Sequence, residues 1–246
     1  MKEIQIFAHR GSKKTHPENT MLAFIEAERV KADGIEFDVQ LSSDGEIVII
    51  HDETLSRTTT LTGYVKNYTA EELKKADAGI LFSKQFIGER IPFLREVFEW
   101  ATENDLVMNI EFKTDKFPYE GIEQKVIDLI HEFRFENRII LSSFNHQSLE
   151  IAKKLAPEIE RALLFKGLPI DIEKILEEKG ESGIHPKRKT VTKKLIKSAQ
   201  KLGYKIRPWT ANRRKEILLL ADLGVDAFFT DCPEKAVKLL RPNTEE

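Results

Sequence analysis

Two short segments place carboxylates where they could hold a metal ion. In 34–40 (GIEFDVQ) apolar and polar residues alternate, which is typical of a strand, so Glu36 and Asp38 project from one face. The segment 107–113 (VMNIEFK) alternates in the same way and carries Glu111. Three converging carboxylates repel one another unless cations lie among them, and an all-oxygen ligand set favours Mg²⁺ or Ca²⁺ over zinc. The pattern predicts a divalent metal site at these three residues, with a structural salt-bridge network as the alternative.

Histidine and basic side chains are expected beside the carboxylates. His9 and Arg10 end the first apolar run, and the Asp-Gly pair at 44–45 predicts a hairpin turn. Counting outward from a two-residue turn places Asp38 opposite His51. Imidazoles exchange protons near neutral pH, and a guanidinium binds phosphate through two parallel hydrogen bonds. This combination favours acid–base chemistry on an anionic substrate.

The sequence pattern predicts repeated βα units, and these elements must position the residues named above. Amphipathic stretches with helical periodicity separate eight apolar runs that we interpret as strands, near 4–9, 34–40, 107–113, 139–144, 161–165, 183–186, 205–210 and 226–231. Eight units in a chain of 246 residues predict an α/β fold, a closed (β/α)8 TIM barrel, in which the strand ends share one mouth. A doubly wound open sheet is the alternative, although no G-x-G-x-x-G motif follows the first strand.

One interval between strands is much longer than a βα unit requires. We expect a single catalytic domain over 1–246, with residues 53–90 as a small inserted subdomain or lid after the hairpin. Thr69 and Glu72 form the pattern of a capping box and predict a short helix there. The insertion is expected to overhang the mouth without contributing to the charged cluster.

Composition limits the classes of partner. The chain has 39 Lys and Arg against 41 Asp and Glu, a formal net charge of −2, which gives no reason to expect nucleic acid. It has no apolar run of about 18 residues, the length that crosses a bilayer. With one cysteine, Cys232, it cannot form an internal disulfide. We expect a cytoplasmic protein with a small-molecule substrate and no stable membrane insertion; no pattern indicates the oligomeric state.

Several motifs together resemble the glycerophosphodiester phosphodiesterase family. The resemblance is carried by HRG…PENT at 9–20, EFDVQLSSDGEIVIIHDETLSRTT at 36–60, IPFLREV at 91–97, IEFK at 110–113 and PWT at 208–210. It implies a TIM barrel that hydrolyses glycerophosphodiesters to glycerol 3-phosphate and an alcohol. It further implies a divalent metal held by residues matching Glu36, Asp38 and Glu111, an acid–base pair of His9 and His51, and phosphate contacts from Arg10 and Lys113.

Some assignments rest on position alone. Trp209 lies near the end of a strand and could flank the glycerol unit, while His131, His146 and His185 are expected to be structural. No serine, threonine or cysteine stands out beside His9 or His51 as a nucleophile, which favours attack by the substrate's own hydroxyl or by water.

Two rival functions remain open at this stage. An amidohydrolase-type barrel would carry His-x-His on its first strand, but Gly11 follows His9 by two residues. A non-catalytic phosphoester-binding barrel would not need two proton-transfer groups.

Overall fold

A computed structural model describes residues 3–169 and 172–242 of the chain. The strands are β1 (Gln5–His9), β2 (Gly34–Leu41), β3 (Ile47–Ile49), β4 (Val107–Phe112), β5 (Ile139–Ser143), β6 (Glu160–Phe165), β7 (Gly183–Pro186), β8 (Lys205–Ile206) and β9 (Ala227–Thr230). The helices are α1 (Met21–Arg29), α2 (Ala70–Leu73), α3 (Leu94–Ala101), α4 (Ile122–Phe133), α5 (His146–Leu155), α6 (Ile172–Lys179), α7 (Lys193–Lys201), α8 (Arg214–Leu223) and α9 (Pro233–Leu240).

The strands form a parallel barrel with helices between them. Their order is β8-β7-β6-β5-β4-β2-β1-β9, and β3 pairs antiparallel with β2 outside this path. Backbone hydrogen bonds connect the two ends of this order: Asp226 N–H donates to Ile206 O (3.1 Å) and Phe229 N–H to Pro208 O (2.9 Å). The predicted (β/α)8 fold is confirmed. The expected strand at 205–210 is reduced to two residues; Pro208 has no N–H to donate to a ladder.

The alternation of apolar and polar residues in the sequence corresponds to the two faces of the barrel wall. Ile35, Phe37 and Val39 of β2 belong to the large apolar core shared with the helices. Glu36 and Asp38 therefore point into the barrel. The wall is covered on both faces, and every residue of β2 is buried.

The hairpin after β2 differs from its predicted register by one residue. Ser42 N–H donates to Glu46 O at 3.0 Å and Gly45 N–H to Ser42 O at 3.1 Å, which makes a three-residue loop rather than a two-residue turn. Gly45 has φ +84°, the left-handed conformation that such loops require at their last position. Asp38 consequently pairs with Ile50, whose N–H donates to Asp38 O at 3.0 Å, and not with His51.

The inserted segment has a small apolar core of its own. Leu55, Val65 and Leu73 pack with residues of the hairpin and of the following turn. Helix α2 begins with the predicted capping box of Thr69 and Glu72. The segment is therefore fixed to the barrel beside β3.

No helix in residues 3–169 and 172–242 combines the length and apolarity needed to span a membrane.

Candidate active site

Three buried carboxylates lie together at the mouth of the barrel. Asp38 on β2 pairs in register with Glu111 on β4, and Glu36 lies two residues earlier on the same face of β2. One ligand oxygen from each of the three residues lies within 4.8 Å of the other two. The cluster that the sequence predicted is present in the structure.

The electrostatics of the cluster fit a bound cation. Burial, with repulsion from Asp38 and Glu111, raises the pKa of Glu36 well above its usual value. Burial and the charge of Asp38 raise the pKa of Glu111 to about 7. Burial opposes ionisation of Asp38 too, but Arg10, His51 and Lys113 outweigh it and lower its pKa.

Hydrogen-bond donors reach only some of the carboxylate oxygens in the cluster. Asn19 donates to Asp38 Oδ2 at 2.9 Å, and the backbone N–H of Arg10 donates to Glu36 Oε2 at 2.8 Å. Asp38 Oδ1 is buried and has no hydrogen-bond partner within the described residues. A hard divalent cation would satisfy this oxygen and remove the repulsion, so the donor set fits Mg²⁺ or Ca²⁺.

Arg10 is held over the carboxylates by an unusual backbone turn. Its φ is +56° and that of Gly11 is +76°, so the chain turns sharply after β1. A Cβ at Gly11 would lie 2.7 Å from Ala23, which explains why glycine follows Arg10. The guanidinium donates to Glu18 Oε1 at 2.9 Å and lies 3.5 Å from Asp38 Oδ2.

Lys113 provides a second cation at the same place. Its Nζ lies 2.9 Å from Glu111 Oε1, 3.9 Å from Asp38 Oδ1 and 3.4 Å from His51 Nε2. Burial disfavours the ammonium, but Glu111 and Asp38 outweigh it and raise the pKa of Lys113. Lys113 thus remains charged at neutral pH.

Each of the two candidate histidines is oriented by a carboxylate. His9 Nδ1 lies 2.7 Å from Asp231 Oδ1, and His51 Nδ1 lies 2.7 Å from Asp52 Oδ1. Burial lowers the pKa of His9 to about 4 and also lowers that of His51. The imidazoles are therefore neutral at pH 7, with the proton on Nδ1 directed to the carboxylate and the lone pair on Nε2.

A buried amide positions His51. The predicted pairing of His51 with Asp38 was wrong by one residue, so it does not explain how His51 reaches the cluster. Gln40 Nε2 donates to the backbone oxygens of Ile50 (3.0 Å) and Asp52 (2.8 Å), on either side of His51. Tyr119 OH donates to Gln40 Oε1 at 2.8 Å. The contact with Lys113 confirms that His51 reaches the cluster.

Sequence reasoning missed several supporting residues. Asp231 directly follows β9, and the pairing of β9 with β1 places it beside His9; a carboxylate at a strand end was the available signal. Asp52 follows His51 directly in the chain. Asn212 donates to Asp231 Oδ2 at 2.6 Å, and no local pattern indicates this contact.

A cavity of about 310 Å³ opens at these residues. It is lined by seven of the eight predicted site residues, His9, Arg10, Glu36, His51, Glu111, Lys113 and Trp209, while Asp38 is fully buried within the carboxylate cluster. Phe144 meets Trp209 edge to face at 5.8 Å and forms one wall with it.

The insertion adds charges around this mouth, although it supplies none of the predicted cluster residues. Glu53 lines the cavity. Arg57 donates to Glu18 at 2.7 Å and forms a short ion pair with Asp52. The sequence did not indicate these contacts because they join residues 53–57 to the loop after β1, a distant part of the chain.

Comparisons with known proteins agree with this geometry. The chain matches the model of the glycerophosphoryl diester phosphodiesterase family over residues 9–235, and it therefore belongs to that family. It is 46% identical over 237 residues to a glycerophosphodiester phosphodiesterase of Caldanaerobacter subterraneus, covering 96% of this chain and 97% of that one. A Bacillus altitudinis glycerophosphodiester phosphodiesterase is 44% identical, with 96% and 97% covered.

One solved structure is similar to this chain over almost the whole length of both chains. An Oleispira antarctica phosphodiesterase, in complex with its product sn-glycerol-3-phosphate, superposes with a TM-score of 0.86 at 33% identity, covering 96% of both chains. The resemblance read from the motifs is thereby confirmed.

Proposed function

We propose that this enzyme hydrolyses glycerophosphodiesters to glycerol 3-phosphate and an alcohol, with a divalent cation, Mg²⁺ or Ca²⁺, held by Glu36, Asp38 and Glu111. The observation that carries the proposal is the convergence of this carboxylate cluster and two carboxylate-oriented histidines at one cavity. A bound cation would supply charge neutralisation to the phosphate oxygens and acidify an attacking hydroxyl.

The phosphate is recognised by residues of opposite charge. Arg10 offers a planar set of donors to two non-bridging oxygens, and Lys113 offers a compact charge beside it. Both side chains are held by carboxylates, so they are oriented before substrate arrives. Trp209 and Phe144 provide an apolar wall that flanks the organic part of the substrate.

The two histidines move the protons. One Nε2 removes the proton of the glycerol 2-hydroxyl as its oxygen bonds to phosphorus. The other imidazole takes up a proton from water at Nε2 when the anionic substrate binds beside it, and it gives that proton to the alcohol whose phosphorus–oxygen bond breaks. The resulting cyclic phosphate is opened by water with the two roles exchanged. In the described part of the chain no serine, threonine or cysteine hydrogen-bonds to either imidazole, which supports internal attack over a covalent enzyme intermediate.

The direct test is release of glycerol 3-phosphate from glycerophosphocholine, glycerophosphoethanolamine and glycerophosphoglycerol, with Mg²⁺, Ca²⁺ or a chelator. We expect metal-dependent release from at least one substrate. Tight binding of these compounds without release would favour a phosphoester-binding barrel. Release at an equal rate in protein shown by elemental analysis to be metal-free would contradict the role of the carboxylates.

The attacking oxygen can be tested separately with a substrate in which hydrogen replaces the 2-hydroxyl. It should bind as an inhibitor and hardly react. Cleavage at a comparable rate would show that water attacks directly.

We further propose that the protein acts in the cytoplasm. Its free Cys232 and the absence of a possible disulfide support a reducing compartment.

A further inference from the structure

His185 lies in the wall of the reaction cavity, and the reaction described above does not use it. It projects from β7 and is fully buried. Neither Nδ1 nor Nε2 has a hydrogen-bond partner within the described residues. Its ring meets that of Phe229 edge to face at 4.9 Å, which fixes its plane. An imidazole with two unpaired nitrogens is costly to bury, so its position indicates a ligand.

A second unpaired polar atom borders the same cavity. Asn109 Oδ1 is buried and has no hydrogen-bond partner in the described part of the chain, while its Nδ2 donates to Ser142 Oγ at 2.9 Å. Asn109 pairs in register with Glu36, so it lies one layer deeper in the barrel than Glu111. The lining of the cavity therefore includes an imidazole, an amide oxygen and a hydroxyl among apolar residues such as Leu164 and Phe229.

These groups suit an uncharged hydroxyl ligand. Burial and the nearby charge of Arg207 hold the pKa of His185 well below its usual value, so it is neutral. A neutral imidazole donates from one nitrogen and accepts at the other, and an amide oxygen accepts, as an alcohol hydroxyl requires. The Arg207 guanidinium is paired with Glu160 and does not line the cavity, so it is not presented to a ligand there.

We propose that His185, with Asn109 and Ser142, binds the terminal hydroxyl of the substrate's glycerol unit and thereby makes the enzyme selective for glycerol-containing diesters. The proposal rests on the function given above. The phosphorus must lie by Arg10 and Lys113 at the mouth. Because the head group varies in size, it must point towards solvent, which leaves the small glycerol unit for the closed end of the cavity. Its terminal hydroxyl is the group farthest from phosphorus.

The test compares glycerophosphoethanolamine with an analogue that lacks only the terminal hydroxyl and keeps the 2-hydroxyl. We expect the wild-type enzyme to prefer the natural substrate at least about tenfold in kcat/KM, since the analogue leaves buried polar groups unpaired. His185→Phe should lose about tenfold or more on the natural substrate and stay within about threefold on the analogue. His185→Gln, which keeps a donor and an acceptor, should retain part of the preference.

The matched control is His131→Phe, because His131 is exposed and contacts only Glu158 among the described residues. It should leave both rates unchanged. Equal losses of His185→Phe on both substrates, or no loss on either, would overturn the proposal.

A measurement on the wild type avoids any folding defect of the variants. Glycerol 3-phosphate should inhibit at least about tenfold better than the corresponding phosphate without the terminal hydroxyl. Equal inhibition would reject the role of His185. The failure of wild-type enzyme to release glycerol 3-phosphate from any diester would instead reject the proposed function.

Discussion

At the scale of single residues, the role that we propose for a histidine follows from the groups that contact its ring. His9 and His51 each contact a carboxylate through Nδ1 and leave Nε2 for the substrate. His131 is exposed, and His185 is buried without a partner among the described residues. These different surroundings are the basis for the different roles that we propose for identical side chains.

Loss of either proton-transfer group should reduce turnover strongly. His9→Ala and His51→Ala should each lower kcat by about 10²- to 10⁴-fold, because one of the two proton transfers then lacks a positioned partner. Steady-state kinetics with unchanged circular dichroism would check this, with His131→Ala as the control. A variant that keeps near wild-type kcat at its optimal pH would remove that histidine from the mechanism.

Asp231 should act on the reaction through His9. Asp231→Asn keeps the shape of the side chain but removes the charge that orients the ring, and we expect a loss of about 10- to 100-fold in kcat with little change in KM. The pH–rate profile should shift as well, since the carboxylate supports the protonated imidazole. An unchanged profile with a proportional loss of thermal stability would indicate a purely structural contact.

His9 should also make stability depend on pH. Its pKa is lowered from 6.5 to about 4 by burial, so between these values the unfolded chain binds more protons than the folded one. Its contribution to stability is complete above pH 6.5 and is lost as the pH falls through about 4. Urea denaturation at pH 7 and pH 5 should show a smaller difference for His9→Ala than for wild type. An undiminished difference would contradict a depressed pKa at His9.

At the scale of elements, the insertion and the loop after β1 complete the mouth. Arg57 links the insertion to Glu18, which in turn holds Arg10. Glu53 places a carboxylate on the rim of the cavity. We therefore expect residues 53–90 to influence which alcohol is accepted more than whether the bond is cleaved.

A single charge on this element should alter selectivity. Glu53→Gln should lower kcat/KM for glycerophosphocholine, whose head group is cationic, a few-fold more than for glycerophosphoglycerol, because a partly screened attraction is lost. Glu71→Gln is the control, since Glu71 is exposed and pairs with Lys75 on the same segment. A uniform loss across both substrates would assign Glu53 a structural role.

At the scale of the whole molecule, the proposed metal site links strands that lie far apart in the sequence. Glu36 and Asp38 come from β2 and Glu111 from β4, so a cation bound between them binds only the folded barrel. Chelation should abolish turnover and lower Tm, and Mg²⁺ or Ca²⁺ should restore both. Glu111→Gln should show a much smaller Tm response to the ion than wild type. An equal response would place the ion elsewhere.

Alternating residues and turn signals were sufficient to predict most of the strands and the faces of β2 and β4, because these depend on neighbours two to four residues apart. The carboxylate cluster followed only because the predicted barrel places β2 beside β4. The hairpin register was wrong by one residue, since a local Asp-Gly pair fits both a two-residue and a three-residue loop, and packing of β3 against β2 decides between them.

Only the tertiary structure decided the partners of the reacting groups. Asp231 meets His9 across 222 residues of sequence because the barrel closes between β9 and β1. The sequence predicted a structural role for His185. Its place in the cavity depends on the pairing of β7 with β6 and β8. Short-range sequence determines which way a side chain points from its strand, whereas barrel closure determines what it meets there.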